Sequence, residues 1–417
     1  MQNFNPDSPV IHNKPDNLAV TQNTAAKAAA PLMTRRIAIL FAIACGLAVS
    51  NVYYAQPLLD SLAYEFGISH SSLGIVITVT QICYALGLFL LVPLGDLLNQ
   101  RRLIVVMMLL SVAALAIIGT APAVPVLFLG LAIMGLLAVV TQVLVSFAST
   151  LAAPSERGSV VGFVTSGVVI GILLARTVAG VLTDLAGWRS VYLTSAALML
   201  MIVSVIYWVM PQPGRLEKNS LSYLQLLHSV LQLFVEEHIL RIRAILAMLI
   251  FTAFSTLWTS LVLPLSSPPH SLSHTAIGAF GLAGVTGALA AARAGRLADH
   301  GWGQRTTGVA LFLLTVSWLP INELKHSLVF LVLGVILLDA AVQAVHVTNQ
   351  SLIFNVRPEA RSRLTAAYMI FYSIGSATGS IASTKLYAYG GWNAVCLFGA
   401  AVSGIALIFW AITRRLS

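Results

Sequence analysis

Charge is what this 417-residue chain has least of: Asp, Glu, Lys and Arg together make 9% of it. A soluble domain carries about 25%, so this chain cannot cover itself with a hydrated surface. Cysteine is scarce too. Cys45, Cys83 and Cys396 lie apart inside apolar stretches, which excludes a disulfide framework and a thiolate metal site. His and Cys nowhere cluster at metal-ligand spacing, so no metal is expected. There is no Gly-x-x-x-x-Gly-Lys-Ser/Thr loop to cradle a nucleotide phosphate, which speaks against ATP as an energy source. There is no Gly-x-Ser-x-Gly elbow either. With no catalytic constellation, neither an enzyme nor a cofactor is expected. The first 33 residues hold no apolar run and so are not expected to form a cleavable signal peptide; residues 1–34 are expected to be a disordered cytoplasmic tail.

What the chain does have is hydrophobic length. Apolar residues make up 58% of it, and mean hydropathy is +0.90. A hydrocarbon core about 30 Å thick is crossed by roughly 20 apolar residues in a helix. Candidate spans fall at 35–59, 71–95, 102–120, 122–150, 158–183, 188–210, 243–265, 274–297, 306–321, 327–354, 361–386 and 392–412. The net charge of +9 calls for no nucleic-acid partner, because its placement follows the bilayer: with the N-terminus inside, 19 of the 23 Lys and Arg fall on one side. The opposite side keeps only Arg189, Lys325 and Lys385, and Arg176, in the fifth span, is counted with neither side. Lys and Arg mark the cytoplasmic face, so both termini are expected inside a bacterial inner membrane. The fold class expected is an all-α membrane protein, its twelve helices in two six-helix repeats.

Pro211-Gln212-Pro213-Gly214 breaks the sixth span and divides the chain into bundles at 35–210 and 243–417. In the linker, 211–242, Leu221, Leu224, Leu227, Val230, Leu231 and Phe234 recur at helical spacing. That pattern suits an amphipathic helix on the cytoplasmic membrane surface, or a plain linker helix. The two bundles repeat. An offset of 204 residues lays Pro154 on Pro358, Arg157 on Arg361, Gly171 on Gly375, Gly187 on Gly391, Trp188 on Trp392 and Arg101 on Arg305. Asp96 meets Asp299 at 203, so one residue is inserted, within His300-Gly301-Trp302-Gly303. Two six-span repeats in one orientation place a transport site between halves. The pairs Gly158/Gly162, Gly167/Gly171 and Gly375/Gly379 have the spacing of close helix packing.

The loop Val92-Pro93-Leu94-Gly95-Asp96-Leu97-Leu98-Asn99-Gln100-Arg101-Arg102 and its second copy, Gly295-Arg296-Leu297-Ala298-Asp299-His300-Gly301-Trp302-Gly303-Gln304-Arg305, resemble the signature loop of the major facilitator superfamily, Gly-x-x-x-Asp-Arg-x-Gly-Arg-Arg. The resemblance covers nearly the whole chain outside the N-terminal tail. Within that superfamily the sequence is most similar to bacterial drug- or metabolite-efflux proton antiporters, through the Gly-rich fifth span, Gly162 to Gly180. It departs from them in lacking the usual Gly-Pro pair there. Its fourth span, around Leu129 to Gly135, also carries no charge where they commonly carry an Arg.

An ionisable group in a membrane helix is costly and marks a functional site by default. Asp339 is the acid near the middle of a span, and His346 is the similarly deep His. With Gln343 and Gln350 they occupy positions i, i+4, i+7 and i+11 along one stripe of the tenth span. In the resembled fold that span lines the pathway, so Asp339 is expected to bind the coupling proton. His346, whose unperturbed pKa is near 6.5, would share the proton or hold its position. The competing reading is that Asp339 is a permanently paired structural residue. Arg176 either draws an anionic substrate or pairs with Asp339; alternatively it snorkels to the interface.

The resemblance also places the first, fourth, seventh and tenth spans around the cavity. Asn51, Tyr54 and Gln56, Gln81 and Tyr84, Thr141 and Gln142, Trp258, Gln343 and Tyr368 then suit a semi-polar substrate pocket, with Tyr372 equally placed. The alternative is ordinary interhelical hydrogen bonding. Asp96, Arg101, Asp299 and Arg305 are implied to gate the cytoplasmic face by pairing between halves, or simply to fix topology. The function expected is proton-coupled export of a small organic compound by a single chain. Proton-linked uptake and a non-transporting membrane sensor are the alternatives, and the expected partners are substrate, protons and lipid.

Overall fold

The structure, a computed structural model, describes residues 33–153, 156–210, 222–354, 356–357 and 361–415. No strand occurs among them. The expected tail and the chain break at 211–221 therefore lie mostly outside the described residues. The first three spans are Arg35–Tyr53, Gly74–Leu90 and Gln100–Gly119. The fourth runs through Val124–Leu137 and Val140–Leu151. The fifth and sixth are Arg157–Ala186 and Trp188–Val209. In the second half the seventh is His238–Ser260, the ninth Gly303–Val316 and the tenth Leu328–Phe354. Arg361–Thr413 contains the eleventh and twelfth, divided at Gly391.

Ten helical stretches among the described residues are long and apolar enough to cross a bilayer, and the division at Gly391 makes eleven. The eighth span completes the twelve. It is broken into His274–Ala279 and Gly284–Leu297 by the turn Phe280–Ala283, and it carries Arg293 and Arg296 near its end.

Local chemistry sets the ends. The Thr34 side chain accepts from the Ile37 N–H at the first span, and Asn99 accepts from Arg102 at the third, each satisfying a donor the helix leaves open. Gly187 and Gly391, 204 residues apart, both take positive φ, 78° and 64°, and both precede a Trp at the start of the next span. Side chains other than glycine rarely adopt that backbone. The residue inserted in the second signature loop falls in the turn between the eighth and ninth spans, Ala298–Trp302, where Gly301 takes φ 82°.

Packing repeats as the sequence does. A Cβ on Gly167 or Gly171 would fall on the backbone of Ala42 and Gly46, so the fifth span touches the first backbone to backbone. Gly375 and Gly379 stand in the same relation to Met248 and Thr252, the eleventh on the seventh. Gly158 and Gly162 instead face open space.

Between the halves, contact is made on the side away from the termini. There Gly74 lies against Ser380 and Thr384, and Gly180 against the His274 carbonyl, while Thr78 donates to Ala377 O at 3.0 Å. The helix Tyr223–Glu236 opens on a capping box, Ser222 with Gln225, and buries Leu226, Val230 and Leu233. It packs on Leu240, Ile353 and Leu364 of the second half, and Tyr223 reaches the Leu90 carbonyl of the first.

Candidate functional site

At the boundary between the halves the fifth span carries Arg176, 3% exposed, and the tenth carries Asp339, 4% exposed. The seventh span joins them through Trp258. The Arg176 guanidinium lies 3.8 Å from the centre of that indole, with Tyr53 and Phe254 at 5.3 and 5.5 Å. The indole N–H donates to Asp339 Oδ1 at 3.1 Å. Arg176 Nε donates to Gln56 Oε1 at 2.9 Å, and Nη2 has no partner. A guanidinium stripped of water and stacked on Trp gains about 2 kcal/mol from the ring quadrupole. An unsatisfied buried N–H costs a comparable amount, so the group is held but not saturated. The cleft beside it, lined by Gln56, Trp258 and Ile277 among others, has a volume of about 10 Å³, room for about one water. The halves have closed down on this point.

Backbone shape lets the acid approach. Gly284 and Gly287 of the eighth span face Asp339, and a Cβ at either would come within 3.3 Å of its atoms. Close by, Tyr53 of the first half and Tyr372 of the second share a very short hydroxyl–hydroxyl bond. Tyr372 packs on Phe251 and on His346, whose Nδ1 lies 2.9 Å from the Tyr368 hydroxyl.

The arrangement thus links an Arg of one half and an Asp of the other through one aromatic ring. The comparisons agree on the architecture. The profile of the Major Facilitator Superfamily matches residues 39–309 and 244–417. The chain belongs to the Major Facilitator Superfamily. It is 46% identical over 372 residues to the uncharacterized transporter YgaY of Escherichia coli O157:H7, covering 89% of this chain and 94% of that one. It is 25% identical to the multidrug resistance protein MdtG of Proteus mirabilis, over 89% and 94%. Among solved structures, an inward-facing, unoccupied bacterial homologue of the human lysosomal transporter Spinster superimposes with a TM-score of 0.75 at 13% identity, covering 91% and 96%. The chain is thus a multi-pass membrane transporter of this superfamily, with bacterial relatives and the all-α, two-bundle fold.

Of the residues singled out in the sequence, Asp339, Arg176, Trp258 and Gln56 come together here. His346, Tyr368 and Tyr372 form the adjoining layer. Tyr84 lies next to Gln142 and near Tyr53, and the Gln81 Oε1 is buried without a partner. Gln343 packs under Gly287.

Asn51 and Tyr54 turn elsewhere. Asn51 accepts from Ser195, and Tyr54 stacks edge-on with Tyr192, both on the sixth span of the same half. Tyr53, one residue away, faces the second half instead. Of the loop residues, Arg101 donates to the Tyr207 carbonyl at 2.5 Å, and Arg305 lies over Trp302 at 4.7 Å; each contact is internal to its own half. The side chains of Asp96 and Asp299 lie outside the described residues.

Arg243 is a buried cation that the sequence did not single out. Grouped with the loop charges by sequence, it is 0% exposed at the start of the seventh span. It donates to Thr307 at 3.4 Å and to Asn349 at 3.3 Å, and Asn349 in turn meets Tyr368. Its signal was available in Asn349, three residues past His346 in an apolar helix. Sequence reasoning also passed over Asp60, Asp184 and His274, which meet across the halves on the far side.

Proposed function

We propose that this protein exports a small organic compound across the bacterial inner membrane in exchange for protons, by alternating access, with both termini in the cytoplasm. The observation that carries this reading is Trp258, whose N–H holds Asp339 of one half and whose ring face holds Arg176 of the other. Ionised, Asp339 accepts the indole N–H and attracts the guanidinium across the boundary. Protonated, it loses its charge and with it much of the reason for the halves to close there. A ligand shifts an equilibrium only between states it binds unequally, and a proton on Asp339 meets that condition. His346, hydrogen-bonded to Tyr368, positions the neighbouring layer. Gln56, Trp258, Tyr84, Gln142, Gln343 and Tyr368 are the groups a substrate would meet. Export is supported by the likeness to a multidrug resistance protein and by the Gly-rich fifth span.

Asp339→Asn, reconstituted in proteoliposomes, is expected to lose flux driven by a pH gradient while still exchanging labelled for unlabelled substrate at equal pH. Undiminished gradient-driven flux would rule out Asp339 as the coupling group. The direction is fixed by reversing the gradient in the same vesicles: accumulation on the acidic side supports export, and accumulation on the alkaline side supports proton-linked uptake.

A further inference from the structure

On the face away from the termini, where the halves meet, His274 opens the eighth span and stands between two acids of the other half. Its Nε2 lies 3.1 Å from Asp60 Oδ1 and 3.0 Å from the Ser61 hydroxyl. Its Nδ1 lies 3.1 Å from Asp184 Oδ1. Asp184 also accepts from the backbone N–H groups of His274, at 3.1 Å, and Thr275, at 2.7 Å. Asp184 ends the fifth span and Asp60 lies on the helix Leu59–Phe66, so every one of these contacts crosses between halves.

A neutral imidazole has one N–H and one bare nitrogen. It can donate to one carboxylate only, and its other lone pair then faces the second. The ring satisfies both acids only when both nitrogens carry hydrogen, that is, as the imidazolium. We propose that His274, clasped by Asp60 and Asp184, is a second proton-binding site that fastens the far side of the transporter shut. This goes beyond the function proposed for Asp339 and needs only that the far side opens during transport.

Among the described residues, the ring's ion-pair contacts are with Asp60 and Asp184 alone. On the helix that supplies Asp60, Glu65 is engaged by Trp188 and Arg189. On the fifth span, Arg176 is two turns deeper and is held by Gln56 and Trp258. The turns Gln56–Leu58 and Phe280–Ala283 and the helix Val262–Ser266 bring no titratable group. The sign follows by linkage. Opening parts His274 from both acids, so the closed form binds the proton more tightly than the open form. Acid on that side therefore favours closure, and raising the pH releases it.

The test uses the full chain in liposomes, with Cys45, Cys83 and Cys396 replaced and spin labels at Tyr64→Cys and Tyr389→Cys, positions 94% and 88% exposed on the two halves. Raising the pH from about 5 to about 8, across the ordinary His range, is expected to shift the inter-label distances to longer values. His274→Gln should abolish that shift. Asp60→Asn, which keeps the ring and one acid, should move its midpoint to lower pH. Asp339→Asn should leave the shift in place even where it abolishes flux, which separates this site from the central one. A distance distribution that ignores pH in the parent protein overturns the proposal. So does a shift that survives His274→Gln or disappears in Asp339→Asn.

Discussion

Arg176 is placed where a membrane protein has least reason to keep a cation, and aromatic rings do most of the holding. Replacing it with Lys keeps the charge but loses the flat guanidinium that stacks on Trp258 at 3.8 Å and reaches Gln56. Lysine and arginine are not interchangeable at a stacked site. With about 2 kcal/mol in the stacking, Arg176→Lys is expected to lower transport about tenfold or more in a vesicle flux assay, with little change in the amount of folded protein. Tyr53→Phe removes the hydroxyl pair with Tyr372 and keeps the ring; it should loosen the closed form, read as faster labelling of a cysteine at Gln56.

Asp339 and Arg176 were legible in the sequence, because a charge in an apolar run announces itself, and Trp258 was legible because the resemblance implies that the seventh and tenth spans line one cavity. The facing of Asn51 and Tyr54 was not. The first span is apolar all round, and Tyr53 and Tyr54 are adjacent but about 100° apart around the helix. Nothing in their chemistry says which of them looks across the boundary. The His274 clasp was illegible for a different reason: its three groups are 214 and 90 residues apart in sequence and sit at or just beyond the ends of spans.

At the scale of helices, two kinds of glycine can be told apart by consequence. Gly171 and Gly375 have backbone where a side chain would go, so Gly171→Val or Gly375→Val is expected to destabilise by roughly 1–3 kcal/mol, seen as a lower Tm in detergent. Gly158→Val, in open space, should leave Tm within error of the parent. Gly391→Ala must place a Cβ at φ 64° and should cost about 1 kcal/mol. The sequence showed the i, i+4 spacing of all three pairs but not their neighbours, since spacing does not say whether a second helix lies across the stripe. The interrupted fourth and eighth spans were hidden for a related reason. Val139 and Gly284 read as ordinary apolar residues, and no proline stands at either interruption.

For the whole molecule, the repeat was the most readable feature, because each half must bury the same faces against the same neighbours. The offset of 204 residues reappears in the matched corners at Gly187 and Gly391. The conformation was not readable, since one sequence serves each state. Here the far side is shut through Gly74, which has the Ser380 carbonyl and Thr384 hydroxyl where a Cβ would stand. Gly74→Val should therefore prevent complete closure. Labels at positions 64 and 389 would stay long at every pH, and flux would fall even with Asp339 and Arg176 intact.

One indole touches both the cation and the acid, and cargo need not reach the acid to be felt by it. A flat molecule settling onto that ring must lift the guanidinium away, and any tilt of the ring lengthens its N–H bond to the carboxylate. Arrival of the load would then be sensed at Asp339 through a side chain that never ionises.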